Sequence, residues 1–72
     1  MTEREFNLQL GANISGARHT AGITQRALAA AIGLWPAQLC RIEQGKQGVG
    51  VNRLRWLAAA LGVAAVALLP QP

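Results

Sequence analysis

The chain has 72 residues, of which 51% are hydrophobic and 14% are charged. A chain of this size and apolar content forms one small domain, which excludes both a large multi-step enzyme and a disordered tail. Residues 6–72 carry six basic residues and one acidic residue, a net charge of +5, which favours phosphates or other anionic surfaces as partners.

Glycines divide the sequence into helical stretches. Each of four glycines ends a stretch with apolar residues at helical spacing, as residues just after a helix often do: Gly22, Gly33, Gly45 and Gly62. The first helix is predicted over 7–21, where Gly11 and Gly16 each weaken it by about 1 kcal/mol relative to alanine. Residues 1–6 are predicted to form an N-terminal arm.

Caps and spacing place the remaining helices. Thr24 is a good N-cap for a second helix over 25–32, and Pro36 suits the first position of a third helix over 36–44. A glycine-rich connector without the ending of a phosphate-binding loop precedes a fourth helix over 51–61. A short fifth helix is predicted over 64–69, and 70–72 is a tail or the start of a linker. We therefore expect an all-α domain over 7–69.

Cysteine and histidine are too scarce for a disulfide scaffold or a zinc finger. Cys40 and His19 are single examples of their kind, whereas a structural zinc site needs about four ligands. With Glu43 they form no triad and no metal set, so we expect no enzyme, no metal and no cofactor. Cys40 is interpreted as a packing residue, with a redox switch as the alternative.

The sequence contains no export or membrane signal. The N-terminus has acidic residues where a signal peptide needs a basic start and an apolar core. The uncharged stretch 56–69 is shorter than the roughly 20 residues that cross a bilayer. We therefore expect a cytoplasmic protein with no membrane partner.

A helix, a short turn and a helix occupy Ile23–Lys46, ITQRALAAAIGLWPAQLCRIEQGK, and this segment resembles the helix-turn-helix of the lambda-repressor, Cro and XRE family. The matching residues are Thr24-Gln25, Leu28-Ala29, Gly33, Ile42-Glu43 and Gly45-Lys46. When these residues are aligned with the family pattern, the resemblance covers about 60 of the 72 residues. It implies a compact five-helix lambda-repressor-like domain whose helix-turn-helix is formed by helices two and three.

The resemblance also implies roles for individual residues. The start of the third helix would meet base edges, which selects Pro36, Ala37, Gln38 and Arg41. Arg41 is the strongest candidate because a guanidinium can donate two hydrogen bonds to guanine. Phosphate contacts would come from Thr24, Gln25, Lys46, Gln47, Asn52 and Arg53.

Two further positions have structural interpretations under the same resemblance. Arg18 and Glu43 stand where family members pair an arginine with a glutamate between helices one and three, and a phosphate contact by Arg18 is the alternative. Trp35 replaces the usual serine or threonine N-cap. It would either pack over the turn or lie against the sugar-phosphate backbone.

Apolar residues in the last two helices exceed what one small core can absorb. Trp56, Val66 and Leu69 are predicted to form a dimer interface. In a symmetric dimer, two third helices about 34 Å apart would meet a palindromic operator.

The resulting functional hypothesis is a bacterial or phage transcriptional regulator that binds double-stranded DNA sequence-specifically and is associated with the nucleoid. Repression by covering a promoter is the simplest mechanism. One alternative is an antitoxin or restriction-control type regulator that also binds a protein partner. Another is a helical protein-protein adaptor without a DNA target.

Overall fold

The structure is a computed structural model that describes residues 1–71. The described residues form four helices and one single helical turn: α1 Glu3–Ala21, α2 Gln25–Ala31, α3 Pro36–Glu43, α4 Val51–Leu61, and the C-terminal turn Ala65–Leu68. No strand occurs among the described residues. The all-α prediction is confirmed.

The first helix begins earlier than the sequence analysis placed it. The Thr2 hydroxyl accepts a hydrogen bond from the Glu5 backbone N–H at 3.1 Å, and the Glu5 carboxylate accepts one from the Thr2 N–H at 3.2 Å. This reciprocal capping box satisfies two N–H groups that a helix start leaves unpaired. The predicted start at Asn7 and the arm 1–6 are wrong, because the Thr2-x-x-Glu5 signal lies inside that arm.

The other boundaries fall close to prediction. α2 and α3 begin as expected and end one residue early, and α4 has the predicted bounds. The predicted fifth helix, 64–69, is reduced to the C-terminal turn, where Ala67 N–H donates to the Ala64 carbonyl and Leu69 N–H donates to that of Val66. This three-residue spacing is that of a 3₁₀ turn, so the predicted five helices become four helices and a turn. Residue 72 of the predicted tail lies outside the described residues.

The glycine signals are confirmed. The four glycines predicted to follow helices all have φ between 70° and 74°: Gly22, Gly33, Gly45 and Gly62. At Gly45 a side chain would also meet the backbone of Leu8 on α1, at 2.7 Å from its Cα atom. The turn after α3 is therefore held tightly against the first helix.

One core joins all the helices. Its largest fully buried side chains come from the four helices and the C-terminal turn: Ile14, Leu28, Leu39, Ile42, Leu57 and Leu68. α3 packs against both α1 and α2, whereas α4 packs against α1, α2 and the C-terminal turn. No helix among the described residues has the length and apolar character needed to cross a membrane.

Two contacts fix α1 against its neighbours. Gly11 is buried beside the end of α3, where a methyl group in its place would lie 2.7 Å from the Glu43 carbonyl oxygen and closer still to that of Ile42. The Asn13 side-chain amide donates to the Leu68 carbonyl at 3.0 Å. The first contact requires glycine, and the second holds the C-terminal turn against α1.

Candidate nucleic-acid interface

α3 is anchored by one face and presents the other to solvent. Leu39 and Ile42 are fully buried in the core, as the sequence predicted. Of the four predicted base-reading residues, Pro36, Ala37 and Arg41 are exposed, and Gln38 is half-buried. Three of the four side chains therefore lie on an accessible surface at the start and middle of the helix.

A buried ion pair fixes the end of α3 to α1. Arg18 donates from Nε to Glu43 Oε2 at 2.7 Å and from Nη2 to Glu43 Oε1 at 3.1 Å, while its Nη1 donates to the Ile23 carbonyl at 3.0 Å. The two side chains are only 10% and 5% exposed. A bidentate pair of this kind sets direction as well as distance, so it fixes α3 relative to α1 and to the chain entering α2.

Gln25 joins the same network. Its side-chain amide N–H donates to Glu43 Oε1 at 2.9 Å, and this partner was not predicted from the sequence. One of the two amide N–H groups is thereby engaged, which leaves one for a phosphate. Gln25 therefore ties the start of α2 to the end of α3.

The network also controls the ionisation of Glu43. Burial alone would raise the pKa of its carboxyl, but the hydrogen bonds from Arg18 and Gln25, with the Arg18 charge, outweigh burial and hold the pKa below its ordinary value. The hydrogen bond to Glu43 raises the pKa of Arg18. Both groups are charged in the folded protein at neutral pH.

The predicted phosphate contacts lie at the start of α2, in the connector just after α3 and at the start of α4. Thr24 Oγ1 accepts the Ala27 N–H at 3.1 Å, so Thr24 is an N-cap whose hydroxyl hydrogen can still be donated. Lys46, Asn52 and Arg53 are exposed, and Gln47 is half-buried. No contact in the structure engages the charges of Lys46 and Arg53 among the described residues.

Gln38 has a role that was overlooked in the sequence. Its side-chain oxygen accepts the Trp35 backbone N–H at 2.9 Å, which is the return half of a capping box. The signal was a glutamine three residues after the N-cap position. Trp35 itself does not pack over the turn but projects into solvent, where it is 76% exposed.

Exposed apolar side chains form a second candidate surface. A groove of about 650 Å³ between α2 and α4 is lined by Ala31, Ile32, Trp56, Ala59 and Ala60. Trp56 is 53% exposed and Val66 is 65% exposed, whereas Leu69 is half-buried.

Cys40 is also half-buried and has a free thiol. Within residues 1–71, no three side chains of the metal-binding types come together.

Comparison with known families decides the classification. A profile of the helix-turn-helix domain family matches residues 9–70, which is most of the chain. The chain belongs to the helix-turn-helix domain family. The resemblance to XRE regulators drawn from the sequence is thereby confirmed, and the chain is a DNA-binding domain of the kind found in transcriptional regulators.

Solved structures of other helix-turn-helix proteins have the same fold. The clp gene regulator ClgR from Corynebacterium glutamicum is 29% identical, with a TM-score of 0.85, and the match covers 94% of this chain and 69% of ClgR. The restriction-modification controller protein C.AhdI from Aeromonas hydrophila is 26% identical, with a TM-score of 0.82, over 86% of this chain and 94% of C.AhdI. No curated protein sequence matches the chain.

The fold by itself assigns no activity. Hydroxypropylphosphonic acid epoxidase from S. wedmorenis is 24% identical, with a TM-score of 0.85, over 90% of this chain but only 35% of that enzyme. At this identity the match shows the fold alone. The two regulators are the more informative relatives because this chain spans most of their length.

Proposed function

We propose that the chain binds double-stranded DNA sequence-specifically as a transcriptional regulator, with α2 and α3 as its helix-turn-helix and α3 in the major groove. The observation that carries this proposal is the division of α3 into a fully buried face and an exposed face bearing Arg41. A helix about 10–12 Å across fits the major groove. Repression by covering a promoter needs no further domain.

Arg41 is the main base-reading residue in this proposal. It is exposed on α3, and its side chain makes no hydrogen bond within the described residues. Its guanidinium is free to donate two hydrogen bonds to guanine O6 and N7, which discriminate against other bases by about 1–3 kcal/mol. Pro36, Ala37 and Gln38 contact the neighbouring base pairs.

Phosphate contacts position the domain on DNA. Lys46 and Gln47 lie in the connector just after α3, Asn52 and Arg53 lie at the start of α4, and Thr24 and Gln25 lie at the start of α2. Helix starts and cationic side chains both favour phosphate oxygens. The Arg18–Glu43 pair, with the Gln25 hydrogen bond, keeps the start of α2 in fixed relation to α3.

Selection of bound duplexes from a random DNA pool, followed by affinity measurements over a salt series, tests the proposal. A dimer in which each protomer neutralises three or four phosphates should give a log-log salt slope of about −5 to −7. Arg41→Ala should relax selection at one guanine. Arg55→Ala removes the same charge from an exposed position on α4 and is the matched control. Absence of any enriched motif would refute sequence-specific binding.

A homodimer formed through Trp56, Val66 and Leu69 accounts for the second exposed surface. Trp56 and Val66 leave apolar area in water, and a two-fold interface would bury it. The expected operator is then palindromic, with half-sites one helical turn apart. Sedimentation equilibrium should show a dimer at micromolar concentration, and Trp56→Ser should shift it to monomer.

The likeness to C.AhdI favours one alternative, a restriction-control or antitoxin type regulator that also binds another protein. DNA binding by Arg41 is common to both hypotheses, so a second protein bound at the Trp56 surface would identify this alternative. A protein-protein adaptor without a DNA target is distinguished differently. It predicts that Arg41→Ala and Gln25→Ala leave any residual DNA affinity unchanged.

A further inference from the structure

The start of α3 presents an apolar surface where a DNA-reading helix would ordinarily carry polar groups. Trp35, Pro36 and Ala37 follow one another along the chain, and all three are exposed. Trp35 has the largest exposed fraction among the large apolar side chains of the described residues, at 76%. None of the three side chains has a hydrogen-bond acceptor, and the indole N–H of Trp35 is the only donor.

Gln38 does not supply the missing polar readout. Its side-chain oxygen already accepts the Trp35 N–H at 2.9 Å, and the residue is half-buried. Bidentate recognition of adenine requires both the oxygen and the nitrogen of the amide. A contact of this kind would have to share the oxygen that caps α3 and is held toward the Trp35 N–H, so the polar readout available beside Arg41 is small and the surface there is mainly apolar.

The surroundings of this surface favour DNA as its occupant. Residues 6–72 carry a net charge of +5, and Arg41 and Lys46 are exposed on α3 and just beyond its end. A polyanion complements this charge. The one apolar group that DNA displays in the major groove is the C5-methyl group of thymine.

We infer that Trp35 and Ala37 recognise thymine methyl groups in each half-site, beside the guanine contacted by Arg41. Ala37 and Arg41 are four residues apart and therefore lie on the same face of α3. Trp35 is the residue just before α3. It therefore lies at the N-terminal end of the helix, which is the end that enters the major groove first in this proposal. The inference rests on the proposed function and adds to it the chemistry by which the half-site is read.

Removing single methyl groups from the selected duplex tests the inference. Each thymine is replaced in turn by deoxyuridine, which keeps every hydrogen-bonding group and removes only the methyl group. Burying one methyl group changes affinity by about fourfold. We expect a loss of about this size at one or two positions in each half-site, measured by fluorescence anisotropy at constant salt.

Protein variants connect the lost methyl groups to α3. In Trp35→Ala, affinity for the thymine duplex should fall and at least one deoxyuridine effect should disappear, because the two partners of one contact are coupled. Phe6→Ala removes another exposed aromatic side chain, on α1 and outside the proposed DNA and dimer contacts, and should keep every deoxyuridine effect. Circular dichroism of Trp35→Ala checks that this exposed substitution leaves the fold intact.

The outcomes separate the inference from the proposed function. If Arg41→Ala weakens binding but no deoxyuridine substitution does, DNA reading stands and methyl recognition is wrong. Deoxyuridine effects that persist unchanged in Trp35→Ala and in Ala37→Gln also overturn it. If the wild-type protein selects no duplex at all, the proposed function itself fails, and the inference that rests on it fails with it.

Discussion

Alanine substitutions at Gly11 and Gly16, both on α1, are expected to change stability in opposite directions. At Gly16 nothing lies within 4 Å of the position that a methyl group would occupy. Alanine there lowers the conformational entropy of the unfolded chain and favours the helix by about 1 kcal/mol. The free energy of unfolding of Gly16→Ala should therefore rise by about that amount.

Gly11 has the same helix propensity but a different neighbour. The added methyl group would overlap the backbone carbonyl oxygens of Ile42 and Glu43, which, unlike a flexible side chain, cannot rotate away. Overpacking of this kind costs about 1–3 kcal/mol, and we take the upper value because α1 and α3 must separate. Set against the gain in helix propensity of about 1 kcal/mol, the net destabilisation is about 2 kcal/mol.

Thermal and urea unfolding, followed by circular dichroism, measure the difference. For a domain of this size about 1 kcal/mol corresponds to 4–8 °C in Tm. Gly16→Ala should melt about 4–8 °C higher than the wild type, and Gly11→Ala about 8–16 °C lower. If both variants are stabilised equally, α1 and α3 do not make the close backbone contact on which the reasoning depends.

Three other predictions concern the ion pair and the second surface. Glu43→Gln leaves the buried Arg18 charge without its partner and should lower the free energy of unfolding by about 3 kcal/mol, whereas the exposed Glu3→Gln should change it by less than about 0.5 kcal/mol in the same urea titration. The pKa of Glu43 is lower in the folded than in the unfolded protein. The carboxylate therefore contributes its full stabilisation at pH values above its pKa in the unfolded protein, near 4.5, and loses it as the pH falls through its pKa in the folded protein. The decline in Tm on acidification should therefore be smaller in Glu43→Gln, and an equal decline would assign the acid sensitivity to other groups. Trp56→Ser should weaken dimerisation in sedimentation equilibrium without lowering Tm at concentrations where the wild type is monomeric.

Local signals predicted most of the helix boundaries. Thr24, Pro36 and the glycines after the helices act through their own backbone or the next turn, so their effect can be inferred from a few neighbouring letters. The start of α1 was predictable in the same way from Thr2 and Glu5 but was overlooked. The helix predicted over 64–69 is longer than the C-terminal turn that forms, because an apolar, alanine-rich stretch favours helix without fixing where the helix ends.

The candidate site was only partly predictable. The resemblance placed Arg18 opposite Glu43 and Arg41 on the reading helix, and in the structure the first two form a pair while the third is exposed. The partner of Gln25 and the capping role of Gln38 were not predicted. A glutamine amide can donate or accept in many geometries, so the side chain that meets it depends on how the helices pack.

Composition, charge and the residues that begin and end helices were thus enough to predict a small basic all-α domain. They also located the segment that carries the helix-turn-helix resemblance. The two glycines of α1 show what the sequence left undecided. They are equivalent by propensity, yet Gly11 lies against the carbonyl groups of α3 and Gly16 lies in open space. Only the tertiary structure separates them, because the contact joins residues far apart in the chain and depends on the distance between two helices.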